Sequence, residues 1–290
     1  MMTVSPKLFC FGLGYSAMAL ARRLNAQGWR IAGTCRAPAR RAALTALGIE
    51  AAVFDGTAPM DRPELLAGAT HVLLSIPPGE DGDSAFLRHA SDIAAAAPDW
   101  VGYLSTTGVY GDRDGGWVDE TSELRPSSPR SERRVAAEAA WLDWGTKTGI
   151  PIQVFRLAGI YGPGRSAADQ VRKGEAKRIV KPGHLFSRIH VEDIATVLAA
   201  SIAQPEPGGI YNVCDDEPAA PSDVTAYVCE LLSIAPPPEI PFEDAELSPM
   251  AHTFWADNRR VRNDRIKEKL GVTLAFPDYR IGIRSVIGLL

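Results

Sequence analysis

Close to the start of the chain, the segment FCFGLGYSAMALARRL sets Gly12, Gly14 and Ala17 between a run of apolar β-formers and a run of helix formers. A strand that turns directly into a helix through G-x-G-x-x-A narrows the folds open to a chain considerably. Gly12 permits the tight turn, Gly14 lacks the side chain that would keep another group off the backbone, and Ala17 lets helix and strand lie close together. The first amides of the helix and its positive dipole end then face whatever approaches Gly14, which suits a pyrophosphate. The residues expected around such a dinucleotide are Gly12, Gly14, Tyr15, Ser16 and Ala17. A glycine turn that holds nothing is the competing reading.

The choice of dinucleotide falls to the end of the second strand, where a carboxylate would bond a ribose 2′-hydroxyl and an arginine a 2′-phosphate. That end reads GTCRAPARR, with no acidic residue between Arg30 and Gly48 and with Arg36, Arg40 and Arg41 clustered past the strand. Cations at a helix start oppose the dipole, so a ligand is one reason for them and a solvated basic surface another. Arg36 is the principal expected 2′-phosphate ligand, which puts NADP(H) ahead of NAD(H). Asp55, ending the third strand, either faces the adenine amine or caps the turn that follows it.

From Lys7 to about Ile150 short apolar runs alternate with longer amphipathic ones, the pattern of β-α-β units on a parallel sheet. KLFCFGL, WRIAGTC, EAAVFD, HVLLSIP, WVGYLST and IQVFRLA read as strands, and SAMALARRLNAQG, RRAALTALG, SAFLRHASDIAAAA and about 130–147 as helices. Beyond Gly159 prolines punctuate a less regular text. The expected fold is therefore α/β, a doubly wound Rossmann-type sheet over 1–158 completed by about 190–215. A small substrate-binding cap is expected from 159–189 and 216–290.

A net charge of −4 and a pI near 5.8 argue against nucleic-acid binding through a general positive field. The four cysteines are widely spaced, so neither a metal site nor a disulfide framework is expected. The first residues do not read as a secretory signal, and no apolar run approaches a membrane span, so the expected location is the cytoplasm.

Five further stretches, in order, resemble the extended short-chain dehydrogenase/reductase superfamily, in its branch of NAD-dependent epimerases and dehydratases: LSTTGVYGD, DETSELRPSSP, FRLAGIYGPG, RIHVEDIATVL and YNVCDDEP. The resemblance implies a Rossmann fold, a nicotinamide cofactor and a Tyr-x-x-x-Lys pair that moves a proton as hydride moves. It also implies a catalytic Ser/Thr, which falls on Thr106. The Tyr and Lys positions fall on Arg130 and Arg134. A guanidinium stays protonated, so Arg130 can bind an anion or a developing oxyanion but cannot exchange a proton, while Arg134 can still bond ribose hydroxyls. Tyr161 and Tyr110, in loops after the sixth and fifth strands, are the alternative proton carriers; either is equally at home as a structural residue. His190 and Asp193 read as packing, capping or loop-anchoring residues.

The basic run from Arg165 to Arg188 lies where the resembling family covers its substrate, so it fits an anionic, phosphorylated or carboxylated ligand as well as a solvated surface. Ala-rich helices near 84–97 and 131–147 correspond to a pair that often forms a homodimer in that family. Two functions follow. One is NADP(H)-dependent redox or epimerase/dehydratase-like chemistry on a small polar substrate, the other a non-catalytic protein that senses NADP(H).

Overall fold

The computed structural model describes residues 5–290. Its strands are β1 (Lys7–Phe11), β2 (Arg30–Cys35), β3 (Glu50–Val53), β4 (His71–Leu74), β5 (Trp100–Thr106), β6 (Trp117–Val118), β7 (Ile152–Leu157), β8 (Gly159–Tyr161), β9 (Arg178–Val180), β10 (Arg188–His190), β11 (Ile210–Val213), β12 (Glu239–Pro241) and β13 (Arg260–Val261). The helices are α1 (Tyr15–Asn25), α2 (Pro38–Thr45), α3 (Ser84–Ala96), α4 (Pro129–Thr148), α5 (Ala167–Arg172), α6 (Val191–Ala203), α7 (Pro221–Leu231), α8 (Pro249–Ala256), α9 (Asp264–Leu270) and α10 (Tyr279–Val286).

Seven strands form one all-parallel sheet in the order β11-β7-β5-β4-β1-β2-β3. From β1 the chain runs outward through β2 and β3 on one side and then returns to β4 on the other. This is the doubly wound Rossmann arrangement, with its crevice at the carboxyl ends of β1 and β4. Burial on both faces explains why β1 reads KLFCF without polar alternation. Leu8 and Cys10 enter the core shared with α1 and α6, whereas Phe9 and Phe11 enter the one shared with α3 and α4. Every residue of β1 is buried.

Apart from β11, the strands after β7 do not join this sheet. Tyr161, Val171, Val224, Val228, Tyr279 and Ile283 make a separate apolar cluster that joins α5, α7 and α10. A three-residue pairing joins β10 to β8, and a two-residue pairing joins β13 of the C-terminal segment to β6 in the loop after β5. Asp193, buried on α6, accepts the amides of Ala275 and Phe276 at 2.8 and 2.9 Å and so anchors a loop of the C-terminal segment. His190 caps α6 by accepting the Glu192 amide at 3.3 Å and packs its ring on Phe276. Among the described residues no helix is long and apolar enough to cross a membrane.

Candidate active cleft

The turn between β1 and α1 is held from behind. Gly12 has φ +90°, donates its amide to the Thr34 hydroxyl at 2.8 Å, and would bring a Cβ to 3.0 Å from Ile76. A side chain there would be strained by conformation and by contact. Gly14 differs in kind. It is the extended N-cap of α1, and no heavy atom lies within 4 Å of where its Cβ would be. No side chain caps α1 and its first turn carries no carboxylate, so the helix opens its amides onto free space at the switch point. Ala17 is fully buried behind them, and Ser16 nearly so.

Tyr15 is tied down. Its hydroxyl donates to the Pro163 carbonyl at 3.0 Å, and the Arg165 guanidinium lies 5.7 Å over its ring. Past β2, Arg36 and Arg40 are exposed, and among the described residues no carboxylate pairs with either. Arg41 is committed to Asp61 at 2.6 Å. The Asp55 carboxylate accepts the Thr57 amide at 2.9 Å and its hydroxyl at 2.7 Å, bonds that hold it below the usual carboxylate range and cap the turn.

From Gly14 a cleft of about 1060 Å³ runs past the ends of β5 and β7 to the C-terminal segments. Its charged lining is one-sided: Arg130, Arg133, Arg134, Arg165, Arg188 and Arg259 stand against Asp257 alone, and Asp257 is already paired with Arg259 at 2.8 Å. No Lys, His, Cys or Glu is among the described residues that line it.

Thr106 lines the cleft at the end of β5, and its hydroxyl oxygen accepts the Gly108 amide at 3.1 Å, capping a short 3-10 turn. That bond does not use the hydroxyl hydrogen. Arg130 sits exposed in the first turn of α4 and lines the cleft. Its pKa is depressed by partial burial and by the neighbouring guanidiniums of Arg134, Arg133 and Arg165. Arg134, one turn on, is 8% exposed and donates through Nη1 to the Leu104 carbonyl of β5, with its guanidinium over Tyr103. Much of its donor capacity thus serves the sheet, although its Nε has no partner.

Neither alternative tyrosine offers an available hydroxyl. Tyr161 is 7% exposed, and its hydroxyl abuts α10 so closely that a Cβ on Gly282 would fall 1.9 Å from it. Burial pushes that phenol well up. The Tyr110 hydroxyl is fully buried, donating to Asn212 at 2.7 Å and accepting from Arg156 at 2.9 Å. It belongs to a polar network that sequence reasoning missed, in which Arg156 holds Glu138 at 2.7 Å and Ser105 donates to the same carboxylate. The available signal was the polar Gln153 and Arg156 inside the otherwise apolar strand IQVFRLA.

Arg133 was also missed, although its i, i+3 spacing from Arg130 puts both on one helix face. Of the basic run after β8, only Arg165 and Arg188 reach the cleft. Arg178 pairs with Glu239, while Lys177 and Lys181 donate to the carbonyls of Glu246 and Trp255. Much of that run therefore helps to fold the C-terminal segment.

The profile of the NAD dependent epimerase/dehydratase family matches residues 87–214 of the chain. Protein YeeZ of Escherichia coli is 28% identical over 252 residues, covering 80% of this chain and 85% of YeeZ. A solved structure of a functionally unknown conserved protein from Silicibacter pomeroyi is 51% identical, with a TM-score of 0.90 over 98% of this chain and 99% of that one. UDP-glucuronic acid 4-epimerase from Bacillus cereus, solved in complex with NAD, superposes with a TM-score of 0.75 over 98% of both chains at 16% identity, a likeness of fold.

Proposed function

The chain belongs to the NAD-dependent epimerase/dehydratase family, and from that premise we propose that it binds NADP(H) and brings a small anionic substrate against it for redox chemistry without the family's tyrosine proton relay. The observation that carries this reading is the cleft itself, which starts at the open face of Gly14 and is lined by six arginines but by no Lys, His, Cys or Glu among the described residues. Gly14 and the uncapped amides of α1 fit a pyrophosphate, and the unpaired Arg36 fits a 2′-phosphate better than a 2′-hydroxyl. NAD(H) takes second place. Tyr15 and Ala17 shape the turn, and Asp55 fixes the loop beside the adenine end.

The cofactor, when bound, supplies hydride transfer. The protein's share is positioning and electrostatics. Thr106 donates its free hydroxyl hydrogen to a substrate oxygen, and Arg130 stabilises negative charge as it develops there. Arg134 keeps the start of α4 against β5, and Tyr161 closes the far wall beside α10. Any proton is drawn from water. The elements after Gly159 cover the substrate, and the molecule works in the cytoplasm as a homodimer through α3 and α4.

The second reading, a protein that senses NADP(H) without turnover, is favoured by the absence of Lys, His, Cys and Glu from the described residues that line the cleft. Calorimetric titration with NADPH and NADH tests the site, with NADPH expected to bind more tightly. Consumption of NADPH across a panel of small anionic carbonyl compounds separates the two readings: turnover identifies the enzyme, and saturable binding without turnover identifies the sensor.

A further inference from the structure

The opening of α4 is unfavourable as it stands. Pro129 and Ser128 start the helix normally, with the Ser128 hydroxyl accepting the Ser131 amide at 3.3 Å. The next turn and a half then carries Arg130, Arg133 and Arg134. Cations in a first turn oppose the helix dipole, and like charges spaced i, i+3 and i, i+4 repel one another. Glu132, the one acidic residue in that turn, is exposed and does not line the cleft. A fourth guanidinium is brought up from the other wall, because Arg165 stacks over Tyr15 at the start of α1.

Of these four, Arg134 bonds the Leu104 carbonyl. Among the described residues no carboxylate pairs with Arg130, Arg133 or Arg165, and all three line the same cleft. The Nε atoms of Arg133 and Arg134 are buried without a partner. Among the described residues Arg130, Arg133 and Arg165 have neither a carboxylate partner, as Arg41 has in Asp61 and Arg156 in Glu138, nor a side-chain bond to a carbonyl, as Arg134 has to Leu104. Planar cationic donors on two sides of the cleft suit a negative charge with several oxygens.

We propose that Arg130, Arg133 and Arg165 form a subsite for a phosphate-type oxyanion carried by the ligand that lies next to the cofactor, with Arg134 as the fixed base behind it. The assignment rests on the reading that the cleft presents a ligand to a dinucleotide, and it deepens that reading by naming the ligand as phosphorylated. The oxyanion could come from two sources, the cofactor's own pyrophosphate or a phosphate on a second molecule. Gly14 and the α1 amides already serve the first, so the arginines serve the second.

The test uses inorganic phosphate as the probe, titrated at fixed ionic strength into the protein alone and into protein saturated with NADP, with calorimetry and the thermal midpoint as readouts. Saturable binding is expected in both, at affinities within a few-fold of each other. Arg130→Gln, Arg133→Gln and Arg165→Gln should each weaken phosphate by about tenfold or more, the loss of one charge-assisted donor set. The same substitutions should leave the thermal midpoint of the phosphate-free protein unchanged or raise it, because relieving the repulsion stabilises the empty protein. Gly14→Val should remove NADP binding and spare phosphate binding, which separates failure of the cofactor site from failure of this one. The subsite is overturned if NADP displaces phosphate, if no saturable binding is seen into the tens of millimolar expected of a bare ion, or if the three glutamine variants bind phosphate as the parent does. It is overturned equally if those variants lower the midpoint of the phosphate-free protein, which would make the arginines structural.

Discussion

Two helices open onto the same cleft, and they offer it different things. α1 begins without a side-chain cap, without a charged residue in its first turn, and with an open face at Gly14, so what it presents is backbone. α4 begins with its amides capped by Ser128 and with guanidiniums projecting from the first two turns, so what it presents is side chains of one sign. The resembling family's pattern survives at the first helix in its physical essentials, since the phosphate-facing device there needs only glycines and a helix end. At the second, where the pattern requires a phenol and an amine, two arginines stand instead. Recognition by backbone tolerates drift in the surrounding residues, whereas proton transfer depends on one group of suitable pKa.

The sharpest way to break this contrast is at the glycines. Gly14→Val should reduce NADPH affinity by more than about a hundredfold while circular dichroism and the thermal midpoint stay near those of the parent, because the new side chain meets only the ligand's space. Gly12→Ala should do the reverse first, lowering stability by about 1–2 kcal/mol because φ is +90° and Ile76 stands 3.0 Å away. Normal NADPH binding by the Gly14 variant would place the dinucleotide elsewhere.

Beneath α4 the contrast can be sharpened through the buried network. Glu138→Gln leaves the Arg156 guanidinium buried and unpaired, and should cost about 3–5 kcal/mol in urea unfolding. Tyr110→Phe should cost about 1–3 kcal/mol, since Arg156 and Asn212 each lose a partner. Any change in a measured turnover should be no larger than the loss of folded protein explains. A selective loss of hydride transfer by more than about a hundredfold in Tyr110→Phe, or in Tyr161→Phe, would mean that the proton relay has moved to that tyrosine.

A smaller effect is expected at the outer end of the dinucleotide site. Arg36→Ala should narrow the preference for NADPH over NADH by about 1–3 kcal/mol, the range for a hydrogen bond to a charged group. An equal loss for both cofactors would assign Arg36 to general electrostatics rather than to the 2′-phosphate.

The sequence made some of this contrast legible and hid the rest for physical reasons. Six of the seven sheet strands lie where apolar runs put them, because a strand buried on both faces is predominantly apolar, whereas β11 was marked only by the resemblance that YNVCDDEP carries. β6, β8, β10 and β13 are two or three residues long and carry no periodicity to read. Arg130 and Arg134 could be recognised as departures from a pattern, but not the bond of Arg134 to the Leu104 carbonyl, which depends on how far α4 lies from β5. Arg165 was one of seven cations in a run. Only the fold distinguishes it from Arg178, which faces Glu239 on a neighbouring strand, or from Lys181, which reaches the Trp255 carbonyl.

The smallest expected effect concerns position 130 itself. If proton exchange has been lost from the start of α4, restoring the phenol alone should not restore it, and Arg130→Tyr should show no gain in NADPH oxidation with carbonyl substrates. A working phenol needs its pKa lowered by a cation that also orients the ribose, and Arg134 donates to the Leu104 carbonyl rather than into the cleft through that nitrogen. The same logic predicts the pH profile. Among the described residues the cleft is lined by no Lys, His, Cys or Glu, and burial pushes the phenols of Tyr15 and Tyr161 up, so neither phenol should lose its proton between about pH 7 and 9. Any activity should therefore be flat across that interval in the parent, and remain flat in Arg130→Gln. A bell-shaped profile that loses one limb in the glutamine variant would show that position 130 takes part in proton transfer after all, and the two ends of the cleft would then differ only in which residue types they use.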